Sequence, residues 1–224
     1  MKRLVAAVLA GLALLAMVLA ALQYQDLRQA RARLAGVQPG AVDIGFAQFM
    51  SLHHQQAVQM AQMMVGDEST AITNLSRSII GTQLLELGEM RGWLRLWNEP
   101  FLPNTTSMSW MLLADSPPSP ALAKYLLDCE ASPTGMPGLA TDEQLRRLRS
   151  LQGRDRRRLF LELMLAHHEG GVPMARFAAE HARIHAVRRV ASNIVLEQSR
   201  EIAGIRVMLH ALQQTPAESP RPPG

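Results

Sequence analysis

Cysteine is all but missing. Cys129 is the only one in 224 residues, so no intrachain disulfide can form and no thiolate cluster can hold a metal. Aromatic residues make up only 4% of the chain and are not interleaved with basic ones, which argues against a nucleic-acid partner despite a formal charge of +4. Lysine occurs only at Lys2 and Lys124, and the arginine-rich stretches 146–147 and 154–158 read as solvated helix faces. Several enzyme signatures are absent as well. There is no Gly-x-Ser-x-Gly elbow, no His-Glu-x-x-His, and none of the Glu-x-x-His pairs that a di-iron carboxylate centre would need. The reading is that the protein is not an enzyme.

There is one long apolar run, Leu4 to Leu22, behind Lys2 and Arg3. Its 19 residues approach the ~20 that cross a bilayer as a helix. A cleavable signal would have a shorter apolar region and a small-residue site, for which Val18-Leu19-Ala20 is the one option. The length of the run, and its helix-compatible continuation through Tyr24, favour residues 1–35 as an uncleaved single-pass anchor. Lys2 and Arg3 then stay cytoplasmic and the remainder lies on the extracytoplasmic side. Cleavage would give a secreted or periplasmic protein instead.

Beyond a breaker at 36–40, apolar periodicity predicts an all-α domain over 41–214. Helices are expected at about 42–65, 70–97, 155–182 and 186–214. A Pro/Ser/Gly-rich connector at 100–140 should hold a short helix from Ser119-Pro120 through Leu127, and Thr141-x-x-Gln144 should cap another. The Pro-rich tail 215–224 is expected to be disordered.

Two of these helices repeat each other. Met50, His53, His54, Met60 and Ala61 recur 114 positions later as Met164, His167, His168, Met174 and Ala175, and Gln83-x-x-Glu86 recurs 115 positions later as Gln198-x-x-Glu201. At about 100° per residue each set falls on one helical stripe ~120° wide. Two similar hairpins joined by a long crossover make a four-helix bundle.

The motifs FAQFMSLHHQQAVQMA, IIGTQLLELGEMRGWL, GMPGLATDEQLRRL and FLELMLAHHEGGVPMA, in this order between Phe46 and Leu209, resemble the DUF305 family. That resemblance implies a small exported or membrane-anchored bacterial protein with a ferritin-like four-helix bundle, in a family of which some members bind copper. The family's connector often reads Met-Pro-Gly-Met, whereas here Leu139 follows Met136-Pro137-Gly138.

Thioether sulfur is soft and imidazole borderline, a donor set suited to Cu(I), to Ag(I) by the same softness, and less to Cu(II). Hard Mg²⁺ or Ca²⁺ would want more oxygen. The candidate ligands are Met50, His53, His54, Met60, Met164, His167, His168 and Met174, with Met64 and Met90 as additional thioethers. Gln83, Glu86, Gln198 and Glu201 would orient the imidazoles without touching the metal. The expected role is copper sequestration, or handover to a copper-handling partner. The alternative is a structural or interaction domain without metal, whose His-Glu-Gln clusters fix helix register. His181, His185 and His210 are left outside the site, with His185 expected in a loop. Gly170, Gly171 and Pro173 interrupt the second stripe, and Pro173 is expected to kink its helix. The uninterrupted first stripe should therefore bind the tighter of two metal sets.

Overall fold

The structure, a computed structural model, describes residues 2–214, excluding the side chains of 4–8, 32, 33 and 35. The tail at 215–224 lies outside the described residues. Every regular element among the described residues is helical: α1 (Lys2–Ala35), α2 (Ala41–Gln62), α3 (Thr70–Leu96), a 3₁₀ turn (Met108–Leu113), α4 (Pro120–Ala131), α5 (Asp142–Ser150), α6 (Gly153–His181) and α7 (His185–Gln214).

The N-terminal unit is α1. Its stretch Leu9–Arg31 is long and apolar enough to cross a membrane, by length and composition, and fits a signal anchor or a signal peptide.

The second unit is built on two hairpins. α2 packs on α3, α6 packs on α7, and the two hairpins meet through α2 and α6. Polar contacts at both ends show that α2 and α6 run in opposite directions. At the start of α2 the buried Asp43 carboxylate accepts from the backbone N–H groups of Gly40 (2.8 Å), Arg183 (3.1 Å) and Ile184 (2.9 Å), the last two from the α6–α7 turn. Past the other end of α2, Arg156 near the start of α6 donates to the Met63 carbonyl (2.7 Å), and Arg157 pairs with Asp67 (2.6 Å).

The connector is more ordered than its composition indicates. α4 continues four residues past Leu127, with Ser119 capping it by accepting from Leu122 N–H and Pro120 in its first turn. Thr141 and Gln144 form the expected reciprocal cap of α5. The 3₁₀ turn was not foreseen. It carries Trp110, which packs 6.3 Å from Phe49 and 5.8 Å from Phe177. A Cβ on Gly45 of α2 would stand 2.5 Å from that indole, so the turn docks where α2 has no side chain.

α6 runs as one helix through Gly170, Gly171 and Pro173. The two glycines serve close approach. A Cβ on Gly170 would fall 1.9 Å from the Pro137 carbonyl oxygen, and one on Gly138, whose φ is +83°, 2.1 Å from the Ala166 carbonyl oxygen. Residues 136–140 thus lie backbone to backbone across α6 as a strap. They are also fastened to α2, where the Gln56 side chain accepts from Ala140 N–H (2.7 Å) and donates to its carbonyl (2.9 Å). Gln56 and Gly170 occupy equivalent positions of the internal repeat, so the strap crosses both halves at matching points. The Tyr125 hydroxyl, donating to the Gly170 carbonyl at 3.0 Å, adds α4 to this junction.

Candidate metal centre

Antiparallel packing of two copies of one stripe decides what meets at the middle. Met50 of α2 shares an apolar cluster with Met90 and Met174, while Met60 and Met64 share a second cluster with Met164. Between these clusters, at the level where α2 and α6 cross, lie His53, His54, His167 and His168, each at most 1% exposed. The two His pairs, expected to serve separate ligand sets, form one layer. The rings of His53 and His167 have their centroids 3.7 Å apart, with His54 6.4 Å from His53 and His168 5.9 Å from His167.

Each outer imidazole is held by the carboxylate of its hairpin partner. His54 Nε2 donates to Glu86 at 2.6 Å, and His168 Nε2 donates to Glu201 at 2.6 Å. The inner pair is held differently. His167 Nε2 donates to the His53 carbonyl at 3.0 Å, and neither ring nitrogen of His53 has a hydrogen-bond partner. Burial, then the neighbouring imidazoles of His54 and His168, hold the His53 pKa well below the usual range, against the opposing effect of the His167 backbone. Burial and the other three imidazoles do the same to His167. The inner pair is therefore neutral near pH 7.

A neutral imidazole that donates from Nε2 carries a lone pair on Nδ1. The Nδ1 atoms of all four histidines are buried without a hydrogen-bond partner. Both amide atoms of Gln83 and Gln198 are likewise buried and unpartnered. The Gln198 amide belongs to the same layer, because a Cβ on Gly171 would stand 3.2 Å from its Oε1 and 2.6 Å from His53 Cε1. Gly171 thus makes room for the His53 ring, a role different from that of Gly170 beside it.

Unpaired buried acceptors cost about 1–3 kcal/mol each. A layer with several of them carries that cost several times over. Among the described residues no three His, Cys, Asp or Glu side chains gather as a group able to hold a metal ion of any kind. The thioethers of Met50, Met60, Met164 and Met174 lie in the two flanking clusters, and Met50 and Met164 each stand one helical turn from an inner histidine. Met64 and Met90 are fully buried in the same two clusters. His181 borders a separate cavity, and His185 is the first residue of α7, not part of a loop.

Three contacts beside the site are not legible in the sequence: Gln56 with Ala140, Gly138 with the Ala166 backbone and Gly170 with the Pro137 backbone. What the sequence does carry is a signal of close approach, in the two adjacent glycines inside a helical pattern and in Met136-Pro137-Gly138. A glycine pair in a helix marks a close neighbour as readily as a bend.

The family model described as domain of unknown function (DUF305) matches residues 43–209. Among solved structures, a DUF305 protein from Streptomyces coelicolor is 31% identical, with 80% of this chain and 98% of that one covered and a TM-score of 0.65. A DUF305 fragment from Deinococcus radiodurans is 24% identical, with coverages of 78% and 99% and a TM-score of 0.59. CopM in its Cu(I)-bound form is 24% identical, with coverages of 75% and 96% and a TM-score of 0.55. At 24% identity the latter two show the fold alone. No curated protein matches the chain.

Proposed function

The chain belongs to the DUF305 family, and from that premise we propose that it binds Cu(I), or Ag(I) by the same chemistry, in the layer of four histidines, for sequestration or handover and not for catalysis. The observation that carries the proposal is the set of four buried Nδ1 atoms without partners. Two of them belong to imidazoles kept neutral by burial, which is the state a metal needs. A soft monovalent d10 ion accepts a low coordination number, so two imidazoles with a thioether closing from an adjacent turn suffice where a three-carboxylate cage would not. Glu86 and Glu201 fix the outer rings by their hydrogen bonds. CopM, which shares the fold, has been solved with Cu(I), Cu(II) and silver. The same proposal takes the bundle as ferritin-like and as tethered outside the cytoplasmic membrane by α1.

The test is competition for Cu(I) between the full chain, kept reduced, and a chromogenic chelator. The protein should withdraw copper from micromolar chelator, and His53→Ala with His167→Ala should abolish this while helical circular dichroism is retained. No withdrawal by the intact chain removes the copper reading.

The second reading, a bundle without metal whose polar layer sets helix register, draws on the two 2.6 Å His-Glu contacts. It requires Glu86→Gln with Glu201→Gln to loosen the metal-free fold.

A further inference from the structure

The end of the bundle where α2 begins has an apolar fringe that its core does not use. Leu96 is 77% exposed, Leu113 63%, Leu102 62%, Leu112 50% and Phe101 44%. They belong to the end of α3, the segment after it and the 3₁₀ turn. Two contacts hold those segments to the first half of α2: Gln48 donates to the Pro100 carbonyl at 2.8 Å, and Trp110 covers Gly45. Next to the fringe the half-buried rings of Trp93 and Trp97 stack at 6.1 Å, and the Arg95 guanidinium lies 5.8 Å over the Phe101 ring.

The chain also enters this end from its apolar N-terminal segment. α1 stops at Ala35 and α2 starts at Ala41, and a linker of five residues reaches ~20 Å at most. The headgroup region adds about 5–8 Å to each side of a hydrocarbon core. Tryptophan is enriched at that level of a membrane, and arginine reaches it with an apolar stem and a hydrated head.

We infer that the C-terminal end of α3, the following segment and the 3₁₀ turn form a surface that rests on the lipid bilayer. Leu96, Phe101, Leu102, Leu112 and Leu113 enter the boundary between headgroups and acyl chains, and Trp93 and Trp97 lie at headgroup level. The inference rests on the tethered reading of α1 and is independent of copper. Charges of both signs lie at this end, Arg95, Arg183, Arg188 and Arg189 with Glu99, Asp115 and Glu180, while the fringe itself is made of uncharged apolar side chains, so the contact proposed is apolar.

All three tryptophans of the chain, Trp93, Trp97 and Trp110, belong to this end of the bundle and none to α1, so their emission reports on it alone. The full chain is reconstituted into phosphatidylcholine vesicles with and without bromine on acyl carbons near the headgroups. The chain should float with the vesicles, and brominated lipid should remove roughly half of the emission, since Trp93 and Trp97 face the contact while Trp110 is buried. The loss should persist in ~0.5 M salt, which screens electrostatic adsorption. Leu96→Ser with Leu102→Ser and Leu113→Ser should restore most of the emission without preventing flotation. A floating chain whose tryptophans are not quenched overturns the inference and leaves the tether standing; if light scattering then shows a dimer, the fringe belongs to a second copy. Quenching abolished by salt overturns the apolar contact. A chain that does not float removes the tether and this inference together.

Discussion

Lowering the pH should weaken the metal-free fold through its two central imidazoles. His53 and His167 are held well below the ordinary histidine range, by burial first and neighbouring imidazoles second, whereas in the unfolded chain each titrates near ~6.5. Below that value the unfolded chain takes up protons that the folded chain refuses. Stability is therefore fully present above ~6.5 and is lost as the pH falls below it. Each group contributes at most ~1.4 kcal/mol per pH unit, so the pair costs up to ~4 kcal/mol between about pH 7 and pH 5, the whole of it when neither ring takes up a proton in the folded chain over that range. Glu197 acts in the opposite direction. Partial burial, then Glu86 and Glu201, raise its pKa, so its protonation favours the folded chain and blunts the loss slightly. Urea unfolding of chelator-treated protein, followed by helical circular dichroism at both pH values, measures the difference. His53→Gln with His167→Gln should flatten the dependence. An intact chain equally stable at both values, or a double variant as pH-sensitive as the intact chain, would refute the claim that these imidazoles are neutral.

Four more comparisons have expected outcomes, the first between two glycine variants. Gly170→Ala places a Cβ 1.9 Å from the Pro137 carbonyl oxygen and should cost ~1–3 kcal/mol by overpacking even after the helix-propensity gain. Gly88→Ala, with nothing within 4 Å, should instead stabilise by up to ~1 kcal/mol, and urea midpoints that move together would show that the strap does not require the glycine. Gln56→Ala removes both hydrogen bonds to Ala140 and should cost ~1–3 kcal/mol while speeding hydrogen exchange at the Ala140 amide; unchanged exchange would mean the strap is held elsewhere. His53→Ala and His167→Ala, tested singly, should weaken Cu(I) binding about equally because both belong to one layer, and a markedly larger effect from one of them would restore the idea of separate sites. Glu86→Gln should lower Cu(I) affinity roughly tenfold by loosening the His54 ring, and no change would detach that carboxylate from the site.

Periodicity placed the four long helices of the bundle within a few residues, because each has a buried stripe at helical spacing, of Ala, Met, Phe and His in α2 and α6 and mainly of Ile, Leu or Val in α3 and α7. That the four histidines share one stripe of each helix was legible for the same reason; that the stripe is buried and not set in a groove was not. What periodicity cannot carry is the direction in which two helices meet. Once α2 and α6 run opposite ways, Met50 pairs with Met174 and Met60 with Met164, while the His pairs fall at the common centre. The idea of two separate metal sets, the first tighter, came from reading each stripe alone. Gly170 and Gly171 were read as weak points of a helix because a sequence pattern records the missing side chain and not the neighbour that needs the space. Trp110 was missed because its turn is too short to show any period.

The internal repeat also sets an order of assembly. α2 with α3, and α6 with α7, join segments close in the chain, whereas the contact between His53 and His167 joins positions 114 residues apart. Local contacts form early and distant closures late. The hairpins should thus appear first, each with an outer imidazole already resting on its own glutamate, and their docking should complete the histidine layer last. On the proposed copper reading, an ion held by that layer would act on the final step: it would slow the parting of the hairpins and leave the rate at which each one forms unchanged.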